Sequence, residues 1–434
     1  MTTQSRSHIR WFRNTAPYIN THRSRTFVLM LGGEAALDPN FATIMHDMAL
    51  LNSLGVRLVL VHGNRPQIEA RLQQDGIESR FHGDMRITDS STLHHVIDAA
   101  AALRIQIEAL LSMGQSNSPM HGARMRVCSG NFVTARPIGV VDGVDFQHTG
   151  RVRRIDSAGI QQQLAADSIV LLSPLGYSPT GEIFNLALED IAVRCAASIG
   201  ADKLLLFGAA SGIANSDGKL LRQLAVAELA NLNVTDREQA DLLATARRAC
   251  MAGVPRCHII SYRDDCALLE ELFTHDGNGT LVAKDDYEQS RSASIDDVGG
   301  ILELIEPMER EGVLVKRSRE LLENEIRQFR VLERDGRIIA CAALYPFPEE
   351  GCGEIACIVS HPDYRGSNRG QRLLHELEGE ARSQGLDRVF VLSTQTAHWF
   401  LEQGFEERSR DALPEEKQAL YNLQRNSKVF FKVL

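Results

Sequence analysis

The segment His361–Leu374, HPDYRGSNRGQRLL, combines residue types that suit the binding of a pyrophosphate. It follows an apolar run, Ile355–Ser360, which predicts a strand, and it leads into a stretch with leucines at helical spacing. A helix N-terminus presents unpaired backbone N–H groups, small residues allow close approach, and Arg365 and Arg369 add positive charge. The segment therefore predicts a phosphate-binding turn. The alternative is an ordinary helix start with two solvated arginines.

The elements that must position this turn follow from alternating apolar and periodic runs. Short apolar runs predict five strands in the first part of the chain: Phe27–Leu31, Val56–Val61, Ile169–Leu172, Lys203–Phe207 and His258–Ser261. Helical stretches between them predict an α/β domain whose mostly parallel central sheet is covered by helices on both faces. This domain is expected to span residues 1–282, a polar linker residues 283–292, and a second α/β domain residues 293–434.

Bulk properties exclude several classes of protein. A chain of 434 residues holds two or three domains, and its formal net charge of −9 argues against a nucleic-acid partner. No apolar run approaches the length of a bilayer span, so no membrane partner is expected. The eight cysteines lack CxxC pairing and metal-site spacing. They predict reduced thiols in a cytoplasmic protein without a bound metal.

The turn at residues 365–370 resembles the coenzyme A loop of the GNAT acetyltransferase superfamily, whose pattern is Arg/Gln-x-x-Gly-x-Gly/Ala. In this chain the pattern reads Arg365, Gly366, Ser367, Asn368, Arg369, Gly370. Asn replaces the first Gly of the pattern, and Asn tolerates a positive φ better than most residues. The resemblance implies acetyl-CoA as co-substrate, with these six residues at its pyrophosphate. It also implies that the backbone of Ile358 and Val359 pairs with the pantetheine arm and supplies an oxyanion donor.

The first domain resembles the amino acid kinase family, and within it N-acetylglutamate kinase. Four segments carry the resemblance: TFVLMLGG (Thr26–Gly33), VLVHGNRP (Val59–Pro66), FHGDMRITD (Phe81–Asp89) and GEIFNLALED (Gly181–Asp190). One catalytic Lys of active members is Met30 here, a later one has no counterpart, and an Asn/Asp pair becomes Ala187 and Glu189. Phosphoryl transfer depends on positioned positive charge, so we expect no kinase activity.

A different set of residues in this domain resembles the arginine-inhibition site of arginine-sensitive kinases. The set consists of Tyr18, His258, Glu271, Gly277 and Gly279. Glu271 can take a guanidinium group in a forked pair, and the Gly-rich turn can offer backbone groups to the α-carboxylate or the α-amine. Taken singly, Tyr18 could be a packing residue, His258 a strand-end histidine and Glu271 a solvated acid. The whole set implies an allosteric site for L-arginine.

Along its full length the chain resembles the bacterial N-acetylglutamate synthase family. The second domain contributes GVLVKRSRE, GEIACIVSHPDYR, LSTQTAHWFLEQGF and YNLQRNSKV. The resemblance implies transfer of an acetyl group from acetyl-CoA to the α-amine of L-glutamate, the first step of arginine biosynthesis, with feedback inhibition by L-arginine. It also implies a homo-oligomer, a ring-like hexamer, in which the segment Trp11–Tyr18 makes contacts between subunits.

By the same resemblance, the two carboxylates of glutamate meet cations at opposite ends of a substrate site. The residues implied are Lys316 or Arg317 at one end, Arg425 with Ser427 at the other, and the main chains of Leu314 and Cys357. The family commonly has Arg at the position of Lys316, so the choice between the first two stays open. The alternative for each cation is a solvated surface residue.

The expected proton acceptor is Glu354, because a carboxylate partly shielded from water can deprotonate an ammonium group directly or through a water. Its alternative is a solvent-facing acid at a strand end. Cys357 could form a covalent acetyl intermediate, but buried Cys is a common core residue. Strict alternation would place Glu354 and Cys357 on opposite faces, which a β-bulge would change.

The tyrosine that many GNAT enzymes use to protonate the CoA thiolate corresponds to Phe400. Ser393 or Thr394 could serve instead, or the thiolate could leave without a protein acid. Two other functions stay open from the sequence. One is a bifunctional synthase and kinase, which Met30 opposes. The other is an amino acid-sensing protein that acetylates protein lysines, which the small-acid clamp of Arg425 and Ser427 opposes.

Overall fold

The computed structural model describes residues 15–112, 125–215, 217–232, 234–274, 277–284, 288–334, 337–362, 368–394, 396–420 and 427–434. The chain divides into two compact units, Met1–Asp285 and Asp286–Leu434. In the first, the described residues form one large sheet whose strands, in spatial order, are β14 (Gln223–Ala225), β16 (Thr280–Ala283), β15 (Arg256–Ser261), β13 (Lys203–Gly208), β1 (Thr26–Leu31), β2 (Arg57–His62), β10 (Ser168–Leu172) and β5 (Arg126–Ser129). All described pairs of neighbours except β15–β16 are parallel. The predicted mostly parallel sheet is confirmed.

Helices cover both faces of this sheet, because its central strands are apolar on both sides. In β1, Phe27, Leu29 and Leu31 enter one core cluster, whereas Val28 and Met30 enter the other. The helices of the unit are α1 (residues 15–22), α2 (Phe41–Ser53), α3 (Arg65–Gln74), α4 (Ser90–Ser112), α5 (Ser157–Ala165), α6 (Leu188–Ile199), α7 (Arg237–Met251) and α8 (Ala267–Phe273). The predicted α/β class is thereby confirmed.

Shorter strands complete the first unit. Four of them form a second sheet in the order β12 (Ile183–Asn185), β11 (Leu175–Tyr177), β6 (Val133–Pro137) and β9 (Gly150–Ile155). Two hairpins consist of β3 (Arg80–His82) with β4 (Met85–Ile87), and β7 (Val140–Val141) with β8 (Val144–Asp145). The short apolar runs of these strands carry little periodic signal, and sequence reasoning did not predict them.

The second unit contains a sheet with the described order β17 (Gln289–Ser292), β18 (Phe329–Arg334), β19 (Arg337–Phe347), β20 (Cys352–Ser360), β21 (Arg388–Ser393), β23 (Lys428–Val433) and β22 (Glu406–Arg408). Its helices are α9 (Val298–Arg310), α10 (Arg319–Glu325), α11 (Arg369–Ser383), α12 (Ala397–Glu402) and α13 (Glu415–Leu420). Gln289–Ser292 lie inside the expected linker, yet they pair with β18. Their polar side chains concealed the strand because it lies at the sheet edge.

One pairing in this sheet positions the site. β20 and β21 are parallel, whereas the other described neighbours are antiparallel. Their pairing runs from Cys352–Arg388 to Glu354–Phe390 and stops there, although both strands continue. Beyond Glu354, the edge of β20 that faces β21 is therefore released from sheet pairing.

Candidate functional site

A bulge in β20 arranges the central residues of the site. β20 has one extra residue between its pairings Ala343–Ala356 and Cys341–Val359, and Cys357 has a φ of 53°. Ala356 and Cys357 consequently both pack in the core cluster that contains α9, whereas Ile355 and Ile358 pack in the cluster with α11. The bulge breaks strict alternation and brings Cys357 to the face of the sheet on which Glu354 lies.

The Glu354 carboxylate is buried next to a lysine. Its side chain is 8% exposed, and its Oε2 lies 2.5 Å from Nζ of Lys417, on α13. Tyr345 lies opposite Glu354 on β19, and its ring centroid is 5.9 Å from the same Nζ. The Tyr345 hydroxyl donates a hydrogen bond to Oε2 of Glu325 at 2.7 Å. Glu354 is therefore a shielded carboxylate and not the solvent-facing acid of the alternative interpretation.

The thiol of Cys357 is poorly suited to act as a nucleophile. Burial, opposed by the nearby Arg317 guanidinium, raises the pKa of Cys357 to about 11. A protonated thiol is a weak nucleophile. The geometry thus gives no support to a covalent acetyl intermediate on this residue.

The residues considered for one end of the amino-acid substrate differ in burial. Lys316 is exposed, whereas Arg317 is partly buried near Tyr345 and Cys357. The backbone N–H of Arg317 donates to Oε1 of Glu309 at 2.8 Å, which fixes the chain there. The N–H of Leu314 already donates to the carbonyl of Met308. Arg317, and not Lys316, is the cation that this unit holds beside Cys357 and Tyr345.

The start of α11 has the backbone form expected of the predicted turn. Asn368 precedes the helix with a φ of 52°, so Asn adopts the left-handed conformation that Gly has in the family pattern. A Cβ added to Gly370 would lie 3.8 Å from Cγ2 of Ile358. The helix N-terminus and β20 are therefore adjacent. Arg365, Gly366 and Ser367 lie outside the described residues.

Arg369 does not contribute a free positive charge at this turn. Its guanidinium forms a forked ion pair with Glu288, with Nε 2.8 Å from each carboxylate oxygen, and both side chains are nearly buried. Glu288, 81 residues earlier in the chain, balances the charge of Arg369. A contact of Arg369 with the pyrophosphate stays a prediction. The ion pair fixes the first turn of α11.

Ser393 lies at the end of β21, buried and bonded to a second hydroxyl. Its Oγ is 2.8 Å from Oγ1 of Thr396, and it accepts the backbone N–H of Thr396 at 3.0 Å. Ser393 also pairs with Lys428 on β23, the residue after Ser427. The structure therefore places Ser393 and Ser427 on neighbouring chain segments. Arg425 lies outside the described residues.

In the first unit, the carboxyl edge of β1 and β2 contains no lysine at the position expected for a kinase. Met30 is 3% exposed and packs in the apolar core. In the turn after β2, Asn64 Nδ2 donates to the Val96 carbonyl, and Gln67 Nε2 donates to the Gly33 carbonyl at 2.7 Å. The side chain of Gln67 thus binds the backbone of the glycine pair that follows β1.

His258 and Glu271 form a buried pair at the predicted effector site. Nδ1 of His258 donates to Oε1 of Glu271 at 2.5 Å, and the N–H groups of Asn278 and Gly279 donate to Oε2 at 2.8 Å each. Burial opposes ionisation of Glu271, but these hydrogen bonds hold its pKa below the usual value. Burial and the charge of Lys203 lower the pKa of His258 to about 4, so the imidazole is neutral at pH 7.

The two predicted glycines of this site, Gly277 and Gly279, occupy positions that have no room for a side chain. Gly277 has a φ of 63°, and a Cβ there would lie 2.5 Å from Oε2 of Glu271. A Cβ at Gly279 would lie 2.2 Å from the carbonyl oxygen of Ile259. The turn can therefore approach β15 and α8 only because both positions lack a side chain.

Two groups at this site were missing from the sequence interpretation. Nζ of Lys203 lies 3.5 Å from Nε2 of His258, and Lys203 is buried at the start of β13. Nε2 of His22 contacts the carbonyl of Leu272 at 2.7 Å, which attaches α1, the helix of Tyr18, to α8 next to Glu271. The sequence did contain a signal for Lys203, because a lysine at the start of an apolar strand is unusual. Trp11 lies outside the described residues.

In the ranges that the structure describes, no group of three or more His, Cys, Asp or Glu side chains is arranged to hold a metal ion. Among those residues, no helix is both long and apolar enough to cross a membrane. All eight cysteines are free thiols.

Comparison with known protein families defines the class of protein. Residues 25–261 match the amino acid kinase family, and residues 299–405 match the acetyltransferase (GNAT) family. The chain is therefore a two-domain protein in which an amino acid kinase fold precedes a GNAT acetyltransferase fold, as the resemblances implied.

Relatives along the full length narrow this class to one family. The chain is 60% identical to the amino-acid acetyltransferase of Ectopseudomonas mendocina over 98% of this chain and 99% of that protein. It is 58% identical to that of Azotobacter vinelandii over 99% and 100%. The chain belongs to the amino-acid acetyltransferase family.

Solved structures of similar proteins agree with this assignment. The N-acetylglutamate synthase of Neisseria gonorrhoeae, complexed with coenzyme A and L-arginine, is 37% identical and superposes with a TM-score of 0.89, covering 98% of this chain and 99% of that chain. A structure from the same organism with coenzyme A and N-acetyl-glutamate is 38% identical, has a TM-score of 0.63 and covers the same shares.

Proposed function

We propose that the chain transfers the acetyl group of acetyl-CoA to the α-amine of L-glutamate and that L-arginine bound to the kinase-like unit inhibits it. The observation that carries the proposal is the shielded carboxylate of Glu354, at the point where β20 and β21 stop pairing. The partly buried Arg317 lies near Cys357 of the same strand. We take Glu354 as the base, the free edge of β20 as the coenzyme-binding edge and Arg317 as the cation of one substrate site.

For acetyl-CoA, we infer that the released edge of β20 pairs with the pantetheine arm through the backbone of Ile358 and Val359. The start of α11 then receives the pyrophosphate on its unpaired N–H groups. Asn368 and Gly370 shape this turn, with Arg365, Gly366 and Ser367 as its remaining residues. Arg369 is proposed at the same phosphates, with its guanidinium held at the start of α11 by Glu288.

For glutamate, Arg317 is the better candidate for one carboxylate, because it is partly buried beside Cys357 whereas Lys316 is exposed. A guanidinium also matches a carboxylate with two parallel hydrogen bonds, which an ammonium group does not. Arg425 and Ser427 are proposed for the other carboxylate. Main-chain groups of Leu314 and Cys357 are proposed to assist in binding the substrate.

The reaction follows from these positions. Glu354 takes a proton from the substrate ammonium group, and the free amine attacks the thioester carbonyl. A backbone N–H of Ile358 or Val359 stabilises the oxyanion of the tetrahedral intermediate. The C–S bond then breaks, and the second proton of the attacking nitrogen passes to the departing CoA thiolate. The Ser393 hydroxyl, bonded to Thr396, is proposed as the hydrogen-bond donor to that thiolate.

For regulation, Glu271 is proposed to bind the guanidinium of L-arginine, with Tyr18, His258, Gly277 and Gly279 around the ligand. The kinase-like regulatory domain is taken as residues 1–282 and the catalytic domain as residues 293–434. A cytoplasmic homo-hexamer completes the proposal. By linkage, arginine and glutamate must change each other's affinity by the same factor if arginine acts on binding.

Identification of the product tests this function. The chain is incubated with L-glutamate and acetyl-CoA labelled in the acetyl group, and the products are analysed by mass spectrometry. The expected product is glutamate with one labelled acetyl group on its α-amine. Labelled acetyl-lysine in added peptides, with no acetylated glutamate, would contradict the proposal and favour protein acetylation.

A further inference from the structure

The base of the proposed reaction already faces an ammonium group of the chain itself. Nζ of Lys417 lies 2.5 Å from Oε2 of Glu354, and the two side chains are 27% and 8% exposed. The contact is an ion pair without hydrogen-bond alignment, since Oε2 has no hydrogen-bond donor among the residues that the structure describes. A buried carboxylate oxygen is thus neutralised but still able to accept a hydrogen bond.

The backbone beneath Lys417 is held in place. Nε2 of Gln418, the next residue, donates to the carbonyls of Leu413 and Asp411 at 2.8 and 3.1 Å. Leu413 is buried in a cluster with Phe390, which is the register partner of Glu354 on β21. Because α13 is fixed to the core beside Glu354, movement of the ammonium group has to come from the flexible lysine side chain.

An aromatic ring also lies near the ammonium group. The ring of Tyr345 is 5.9 Å from Nζ, and its hydroxyl is held by Glu325. Aromatic faces attract cations at about this distance. The ammonium group of Lys417 can therefore leave Glu354 and still remain beside the Tyr345 ring.

Resting on the proposed function, we propose that Lys417 is a positioning residue that occupies the place of the substrate ammonium group. Before the amino acid binds, Lys417 neutralises Glu354 and keeps its carboxylate directed into the site. The substrate ammonium group then displaces Lys417, because two cations on one buried carboxylate repel each other. The displacement delivers an ionised base directly to the group that it must deprotonate.

Replacement of Lys417 tests this inference. In Lys417→Met, the substrate no longer has to displace a cation, so the KM for glutamate should fall about tenfold. Glutarate, the same five-carbon diacid without an ammonium group, leaves Lys417 in place when it binds. Its inhibition constant in the same variant should not fall below the wild-type value, and the KM for acetyl-CoA should stay within about twofold.

Lys432→Met is the matched control. Lys432 forms a similarly buried ion pair, with Nζ 2.7 Å from Oε1 of Glu378, in the same unit. The Lys432→Met substitution removes one lysine and one ion pair. It should leave the ratio of the glutamate KM to the glutarate inhibition constant unchanged. Should Lys417→Met not fold, Lys417→Gln supplies a neutral side chain that can still donate to Glu354, and the same lowered ratio is expected.

The outcomes separate this inference from the proposed function. A lowered ratio in the Lys417 variants alone supports the displacement. An unchanged or raised KM for glutamate would overturn it and assign Lys417 to structure or to substrate binding, and an equal fall of both constants would also overturn it. Absence of glutamate acetylation by the wild-type chain would instead refute the proposed function.

Discussion

The replacement of Glu271 by glutamine tests the arginine site without removing its structure. The Glu271 carboxylate accepts three hydrogen bonds, from His258 Nδ1 and from the backbone N–H groups of Asn278 and Gly279. Alanine at this position would leave two amides without an acceptor, at about 1–3 kcal/mol each. Such a loss is a large part of the roughly 5–15 kcal/mol that stabilises a typical domain. An alanine variant would therefore confuse loss of the site with loss of folding.

Glutamine retains one side-chain oxygen for the two amides, but it removes the charge that would bind a guanidinium group. A hydrogen bond to a charged partner contributes about 1.5–3 kcal/mol. The concentration of arginine that halves the rate should therefore rise by about 10- to 100-fold in Glu271→Gln. Turnover without arginine should change by less than about twofold, because the substitution lies in the other unit from Glu354.

The assay measures CoA thiol release against arginine concentration, for wild type and Glu271→Gln, with thermal unfolding recorded for both proteins. Loss of inhibition with a similar melting temperature would support the effector site. Inhibition at the wild-type arginine concentration would refute the placement of the guanidinium on Glu271. Loss of both inhibition and stability would show that the two amides need a charged acceptor, and Gly279 then provides the independent test.

Three further changes have defined outcomes. Glu354→Gln keeps the shape of the side chain but removes the base, so kcat should fall about 10²- to 10⁴-fold while calorimetric acetyl-CoA binding persists. Gly279→Ala forces a Cβ toward the carbonyl of Ile259, at 2.2 Å, so arginine inhibition should weaken while uninhibited turnover persists. Asp47→Asn should raise the free energy of unfolding at pH 8 by about 2 kcal/mol, and hardly at pH 4, in urea titrations. Burial, reinforced by the charge of Asp265, raises the pKa of Asp47 to about 7, so the native state disfavours the carboxylate as the pH rises from 4 to 7.

Each of these outcomes has a contrary result. Near-normal kcat in Glu354→Gln would assign proton removal to another group or to solvent. Undiminished inhibition in Gly279→Ala would show that the turn tolerates a side chain and does not shape the arginine site. An equal effect of Asp47→Asn at both pH values would mean that packing, and not the ionisation of Asp47, determines its contribution to stability.

Much of the fold was accessible from the sequence because it depends on local patterns. The predicted strand Phe27–Leu31 lies within β1, and its fully apolar sequence required burial on both faces. The left-handed conformation of Asn368 could be expected, because Asn replaces the first Gly in the pattern of a phosphate-binding turn. These features are encoded within a few neighbouring residues, so periodicity and composition were sufficient to find them.

The charge balance of the sites was not accessible in this way. Glu288 neutralises Arg369 from 81 residues away, and Lys417 pairs with Glu354 from a helix that no motif marks. A lysine or glutamate in an exposed-looking polar run gives no local indication of its partner. Such pairs depend on tertiary packing. The sequence therefore predicted Glu354 as the proton acceptor but not Lys417 as its counterion.

The most direct test of the account is the release of CoA with L-glutamate, L-aspartate, L-glutamine and L-ornithine, each with and without L-arginine. A site with a cation for each of two carboxylates and one shielded base should release CoA efficiently with glutamate alone, and arginine should suppress that release. Comparable release with glutamine would contradict the paired carboxylate contacts, and release of CoA from glutamate that arginine leaves unchanged would contradict the regulatory role of the first unit.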